Sequence, residues 1–159
     1  MSSTQQQKNL AEIFYLALDQ RIPNLNSKIK VLNLSKNRLG KEGAKLLAEV
    51  IEHNSFLEVL DISKNNIGVS GAQALSVSLK NNKSIKFINL FNNKIAFDGA
   101  KAFAENVLPF NTVLEFLEIG HNRIRDKGLK AITEGIIKNP QSNIKSLGLR
   151  FNFLTKSGV

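Results

Sequence analysis

Between Ile29 and Leu154 one spacing of apolar positions comes round five times. The segments are Ile29 to Leu39, Leu57 to Ile67, Ile85 to Ile95, Leu114 to Ile124 and Ile144 to Leu154. Each reads L-x-x-L-x-L-x-x-N-x-L, with Leu or Ile at the L positions. Within a segment, apolar residues two apart, such as Leu32 and Leu34, give the alternation of a short strand with one face buried. The invariant polar position is Asn37, Asn65, Asn93, Asn122 and Asn152, at separations of 28 to 30 residues. An asparagine side chain offers an acceptor and two donors, so it can tie backbone groups of the bend that follows the strand. Six residues beyond each asparagine stands a glycine: Gly43, Gly71, Gly99, Gly128 and Gly158.

After each asparagine the period changes from two to 3.6. Ala44, Leu47, Ala48 and Ile51 fall on one helical face,. So do Ala72, Leu75 and Leu79, then Ala100, Phe103, Ala104 and Val107, then Leu129, Ile132 and Ile136. Asn54, Asn82, Asn111 and Asn139 mark the loops that return to the next strand, and the longer periods hold Pro109 and Pro140,. The chain therefore divides in two. Residues 1–27 predict an N-terminal capping helix and connection, with Leu10, Ile13, Phe14, Ala17 and Leu18 on its apolar face. Residues 28–159 hold the five repeats, the last cut short where its helix would begin. Solenoid ends need covers, so an open C-terminal edge is expected either to continue in a longer protein or to self-associate.

These residues resemble the leucine-rich repeat family. The N-x-L-x-x-x-G continuation is similar to its ribonuclease-inhibitor-type subfamily, which includes sensor regions of NOD-like receptors and the Ran GTPase-activating proteins. The resemblance implies an α/β solenoid: a right-handed horseshoe segment with parallel strands on the concave face and helices on the convex face. Strands stack about 4.8 Å apart and helices about 8–10 Å apart, so such a stack curves with its strands inside. The resemblance also implies protein binding without catalysis. Short proteins of this kind occur among bacterial effectors delivered into host cells, and as fragments of eukaryotic sensors.

Composition narrows the chemistry. The absence of cysteine removes disulfides, zinc–thiolate sites and thiol nucleophiles, and suggests a cytoplasmic setting, which for a translocated effector is the host cytoplasm,. Two histidines leave little for a metal centre or a triad, and no cofactor is expected. No stretch reaches the roughly 20 apolar residues of a membrane span. Catalysis at His121 would need a second base or a nucleophile, and Gly120 and Asn122 supply neither,.

The x positions of the strands face a partner. They form columns: Val31, Val59, Phe87, Phe116, Ser146; Asn33, Asp61, Asn89, Glu118, Gly148; Ser35, Ser63, Phe91, Gly120, Arg150; and Lys36, Lys64, Asn92, His121, Phe151. The later repeats gather Phe87, Phe91, Phe116 and Phe151, with Phe153 at the adjoining bend. Clustered exposed aromatics are favoured interface anchors. The expected contact set is Phe87, Phe91, Phe116, Glu118, His121, Arg150 and Phe151. With a net charge of +9, Arg38, Lys94, Arg123 and Arg125 form a basic rim in the bends. The expected partner is thus a protein, acidic or mixed in charge, with an apolar patch. The alternatives are regulation of a small GTPase, as the resemblance to Ran GTPase-activating proteins implies, and nucleic-acid binding through the basic bends.

Overall fold

The computed structural model describes residues 29–156, and the expected capping helix over 1–27, like Gly158, lies outside the described residues. Each repeat opens with a three-residue strand: β1 (Val31–Asn33), β2 (Val59–Asp61), β3 (Phe87–Asn89), β4 (Phe116–Glu118) and β5 (Ser146–Gly148). Four helices alternate with them: α1 (Gly40–His53), α2 (Gly68–Asn81), α3 (Ala96–Asn106) and α4 (Arg125–Ile137). The strands form one parallel sheet in sequence order, β1-β2-β3-β4-β5. Its register pairs residues of the same column, Val59 with Phe87 and Phe87 with Phe116. This is the α/β solenoid that the repeat pattern predicts.

The core runs between sheet and helices. Leu60, Ile88 and Leu117 point inward from the strands and meet Leu47, Leu75, Phe103 and Ile132 from the helices, all of them buried. The helical faces expected from the sequence are the buried ones. Ile136 is only partly buried against the core, and Leu147 and Leu149 of the fifth repeat are half-buried where Leu117 and Ile119 of the fourth are fully so. The first-turn glycines allow close approach between successive helices. A Cβ at Gly71 would lie 2.8 Å from Ala44 Cβ and 2.9 Å from Ile67 Cβ.

The repeat asparagines do more than close their own bends. Asn93 Oδ1 accepts the Asn65 N–H at 2.9 Å, while its Nδ2 donates to Ile62 O at 2.8 Å and Leu90 O at 3.2 Å. Two of those three groups, the Asn65 N–H and Ile62 O, belong to the preceding repeat. Asn65, Asn122 and Asn152 repeat the arrangement, so each stitches its repeat to the preceding one. The bends they hold are left-handed at residues that are not glycine, among them Lys36, Arg38, Lys94, Ala96, His121, Arg123, Arg125 and Phe151. Such backbone costs about 1–2 kcal/mol per residue outside glycine, a cost the buried asparagine bonds offset.

A second spine was not legible as such in the sequence. Asn54, Asn82, Asn111 and Asn139 mark the return loops, as expected, and the side chains of the last three also bond between repeats. Asn82 Oδ1 accepts the Ser84 and Ile85 amides, and Nδ2 donates to Ile51 O and Asn54 O of the previous repeat. Asn111 and Asn139 bond backward in the same way. Among the described residues no buried side-chain nitrogen or oxygen lacks a hydrogen-bond partner.

Charge is ordered along one edge of the sheet. The residue before each strand is Lys30, Glu58, Lys86, Glu115 and Lys145 in turn. Neighbours in this column carry opposite signs and pair: Glu58 with Lys30 at 3.0 Å and with Lys86 at 2.8 Å, and Glu115 with Lys145 at 2.6 Å. On the convex helices Lys101–Glu105 and Lys130–Glu134 form the i, i+4 pairs the spacing suggests, whereas Lys45 turns to Glu42 at 3.4 Å instead of Glu49. The Lys86 ammonium and then Lys30 hold the Glu58 carboxyl at about 2, below its ordinary 4.5. A carboxyl lowered on folding contributes stability that is present above its unfolded value and lost as pH falls through its folded one. Stability from this pair should therefore fade between about pH 4.5 and pH 2. Carbon-detected NMR titration should find Glu58 midpoints near 2 at low salt, rising with screening; a midpoint of 4.5 at low salt would contradict the pairing,.

Candidate functional site

The exposed face of the sheet is built by alternation. Because Leu60, Ile88 and Leu117 face the core, the residues on either side of each face outward. Phe87 and Phe116 are register partners on adjacent strands, with ring centroids 6.1 Å apart. Phe116 is 39% exposed. One turn of chain further on, Phe91 meets the His121 ring at 5.7 Å, and His121 meets Phe151 at 6.2 Å. The Arg150 guanidinium lies 5.4 Å from the Phe91 ring centre, within cation–π reach,.

A groove of about 370 Å³ opens between these two rows. Phe87 and Phe116 wall one side, Phe91 with Arg150 the other, and Glu118 and Gly148 lie on the floor. It exists because Ser146, Gly148 and Gly120 present little or no side chain. The Glu118 carboxylate bends over Gly148 and accepts the Gly120 N–H at 2.7 Å. Asn33, Asp61 and Asn89 accept the amide two residues on in the same way. Asp61 also takes a bond from Asn89 Nδ2 at 3.1 Å. The polar column down the middle of the sheet is thus committed to its own backbone.

Of the residues expected to contact a partner, Phe87, Phe91, Phe116, Glu118 and Arg150 line this one groove. His121 and Phe151 adjoin it through ring contacts with Phe91 and with each other, and Phe151 is 68% exposed. Arg38, Lys94, Arg123 and Arg125 are exposed on the bends of the first, third and fourth repeats and do not line the groove. Lys64 and Ser146, which the sequence did not single out as contact residues, do line it. Their column membership was the available signal. Among the described residues no cluster of three or more histidines and carboxylates could hold a metal ion, and no helix is long and apolar enough to cross a membrane.

The alternating strands and helices, locked by asparagines at a fixed period, define a repeat solenoid with one open parallel sheet face. The chain belongs to the leucine-rich repeat family: the model described as "Leucine Rich repeat" matches residues 25–48, 53–76, 81–104 and 110–132, more than half of the sequence. The fifth segment lies beyond those matches, and β5 pairs with β4 in the common register. Among solved structures the chain is similar to "Leiomodin-1 Actin-Binding Site 2 (ABS2)", with a TM-score of 0.68 and 19% identity. The likeness covers 95% of this chain and 81% of that one. At that identity it bears on the fold alone. No curated protein sequence matches the chain.

Proposed function

We propose that this chain is a non-enzymatic interaction module that binds a protein through its concave sheet face and the adjoining bends. The observation that carries the reading is the aromatic groove. Phe87 and Phe116 are held on the outward face by strand register and, with Phe91, line an opening that nothing in the described chain fills, while His121 adjoins it through Phe91. Aromatic anchors in a partly enclosed depression are what interface hot spots require. His121 stands between two phenyl rings, an environment suited to contact and not to proton transfer. Five strands span about 20 Å, less than an interface of about 800 Å² per partner needs, so the bends with Lys94, Arg123 and Arg125 would contribute too.

The test is capture of partners by the wild type and by a Phe87→Ala/Phe116→Ala variant, with both proteins first shown folded and monodisperse. Actin and a panel of small GTPases belong among the defined probes, actin because the similar leiomodin-1 structure is an actin-binding site, and GTPases because of the family resemblance. A protein bound by the wild type should lose at least tenfold in affinity with the variant, about 1.4 kcal/mol. Equal binding by both would remove the site from this face. Accelerated GTP hydrolysis in the presence of the chain would overturn the non-enzymatic reading.

A further inference from the structure

Charge and shape are distributed unequally across the concave face, and the inequality selects an occupant. Along the edge that precedes the strands, Glu58 and Glu115 pair with Lys30, Lys86 and Lys145, so that most of the charge there is offset. On the floor, Glu118 and Asp61 already accept backbone or amide donors. An incoming cation would have to displace those bonds. Along the opposite edge, toward the bends, Lys64, Arg150, Lys94 and Arg123 are all exposed. Among the described residues no carboxylate pairs with any of these four. The face therefore carries most of its unpaired positive charge on one edge, beside the groove.

The two walls differ in kind. Phe87 and Phe116 offer two rings and no polar atom. The far wall puts the Arg150 guanidinium above Phe91, with Lys64 lining the same groove. Stacking a guanidinium on a ring leaves its edge donors directed outward, where they can take a carboxylate in a two-pronged bond. Phe87 and Phe91 are four residues apart in one chain, about 13 Å at 3.3 Å per residue. The side chains narrow that gap, and a single extended segment fills what is left.

Resting on the protein-binding reading above, we propose that the groove receives an extended, acidic segment of the partner. Its apolar side chain packs against Phe87 and Phe116 beside Gly148, and its carboxylate pairs with Arg150 and Lys64. An extended chain advances about 3.3 Å per residue, so the acidic residue stands two to four positions from the apolar anchor. Lys94 and Arg123 take further acidic residues outside the groove and speed association.

Selection of a displayed library of random twelve-residue peptides on the immobilised full chain tests this. Enriched peptides should carry Asp or Glu two to four positions from Leu, Ile, Phe or Trp. A synthetic copy of the dominant peptide should bind at least tenfold more weakly to the Phe87→Ala/Phe116→Ala variant. Lys64→Ala/Arg150→Ala should cost the acidic peptide at least fivefold, yet leave its amide counterpart, with Asn or Gln at the acidic position, unchanged. Gly148→Val serves as an independent variant. It keeps every ring and fills the floor, and its Cβ displaces the Glu118 carboxylate, at the cost of the bond from the Gly120 N–H. It should abolish binding while the thermal midpoint stays within a few degrees. Peptides that depend on the Phe pair but lack an acidic preference, or carry Lys or Arg instead, would overturn this inference and leave the protein-binding reading standing. Peptides indifferent to the Phe pair, or no enrichment at all, would overturn both.

Discussion

Replacing Asn93 with alanine should cost about 3–5 kcal/mol and lower the melting midpoint by roughly 10–20 °C. The estimate follows from which groups lose their partners. Asn93 is fully buried, and its Oδ1 is the acceptor for the Asn65 N–H at 2.9 Å and the Ile67 N–H at 3.5 Å. Both amides would be left buried without an acceptor, at about 1–3 kcal/mol each. The two carbonyls served by Nδ2 suffer less. Ile62 O keeps a bond from Asn65 Nδ2, and Leu90 O keeps one from Asn122 Nδ2. Asn37 is the internal control, since it is exposed and, among the described residues, its Nδ2 serves only Leu34 O and Ser35 O of its own repeat. Asn37→Ala should cost about 1 kcal/mol or less. Urea unfolding of the two variants beside the wild type, at constant m-value, measures the difference. Losses of equal size would show that the asparagines act within repeats and not between them.

The same residues show what could and could not be read in advance. The fold was legible because the repeat asparagine needs donors and an acceptor at a fixed distance from paired apolar residues, and few other arrangements satisfy that pattern five times. The reach of each asparagine into the neighbouring repeat was hidden, because it depends on the stacking itself. Asn54, Asn82, Asn111 and Asn139 share the repeat's own period of 28 or 29 residues. Yet an asparagine after a helix reads first as a loop marker, and so a second spine passed as punctuation. The alternation Lys30, Glu58, Lys86, Glu115, Lys145 likewise emerges only when the repeats are set in columns, since sequence neighbours within a repeat never meet across the sheet.

The candidate site divides along similar lines. Phe87 and Phe116 were identifiable as outward and adjacent from alternation and register alone. That Glu118 folds down onto its own backbone was not, because its freedom to do so comes from Gly148 in the next repeat and Gly120 two residues on. The basic bends were visible as a charge cluster. Their conversion into a lopsided field required knowing that the far edge of the sheet pairs most of its own charge. Left-handed backbone at His121 and Phe151 gave no sequence signal at all. Glycine is the usual marker of that conformation, and here inter-repeat bonding imposes it on other residues.

Gly99→Ala should destabilise the chain by about 1–3 kcal/mol, although alanine is the better helix former by about 0.5–1 kcal/mol. Gly99 lies in the first turn of α3, where its missing side chain lets the helix pack on Ile95 and on α2. A Cβ there would overlap Ile95 Cγ2 and come within 3.0 Å of Ala72 Cβ. Ile95 and Ala72 are both fully buried, and a β-branched side chain has almost no freedom at χ1 with which to move aside. The strain therefore passes to the helix axis and to the α2–α3 contact. Ile95→Leu shifts the branch from β to γ and removes the overlapping methyl at nearly constant volume, a change worth less than about 1.5 kcal/mol alone. The double variant Gly99→Ala/Ile95→Leu should then be more stable than the two single losses predict, with a coupling of about 1 kcal/mol. Additive losses would place the strain elsewhere, and a neutral or stabilising Gly99→Ala would refute the close approach itself. Gly43 carries the comparison one step further: among the described residues the atoms nearest its Cβ would be those of the Leu39 side chain, at 3.0 Å and beyond. Gly43→Ala should accordingly cost less than Gly99→Ala, whose Cβ would overlap Ile95 Cγ2 outright.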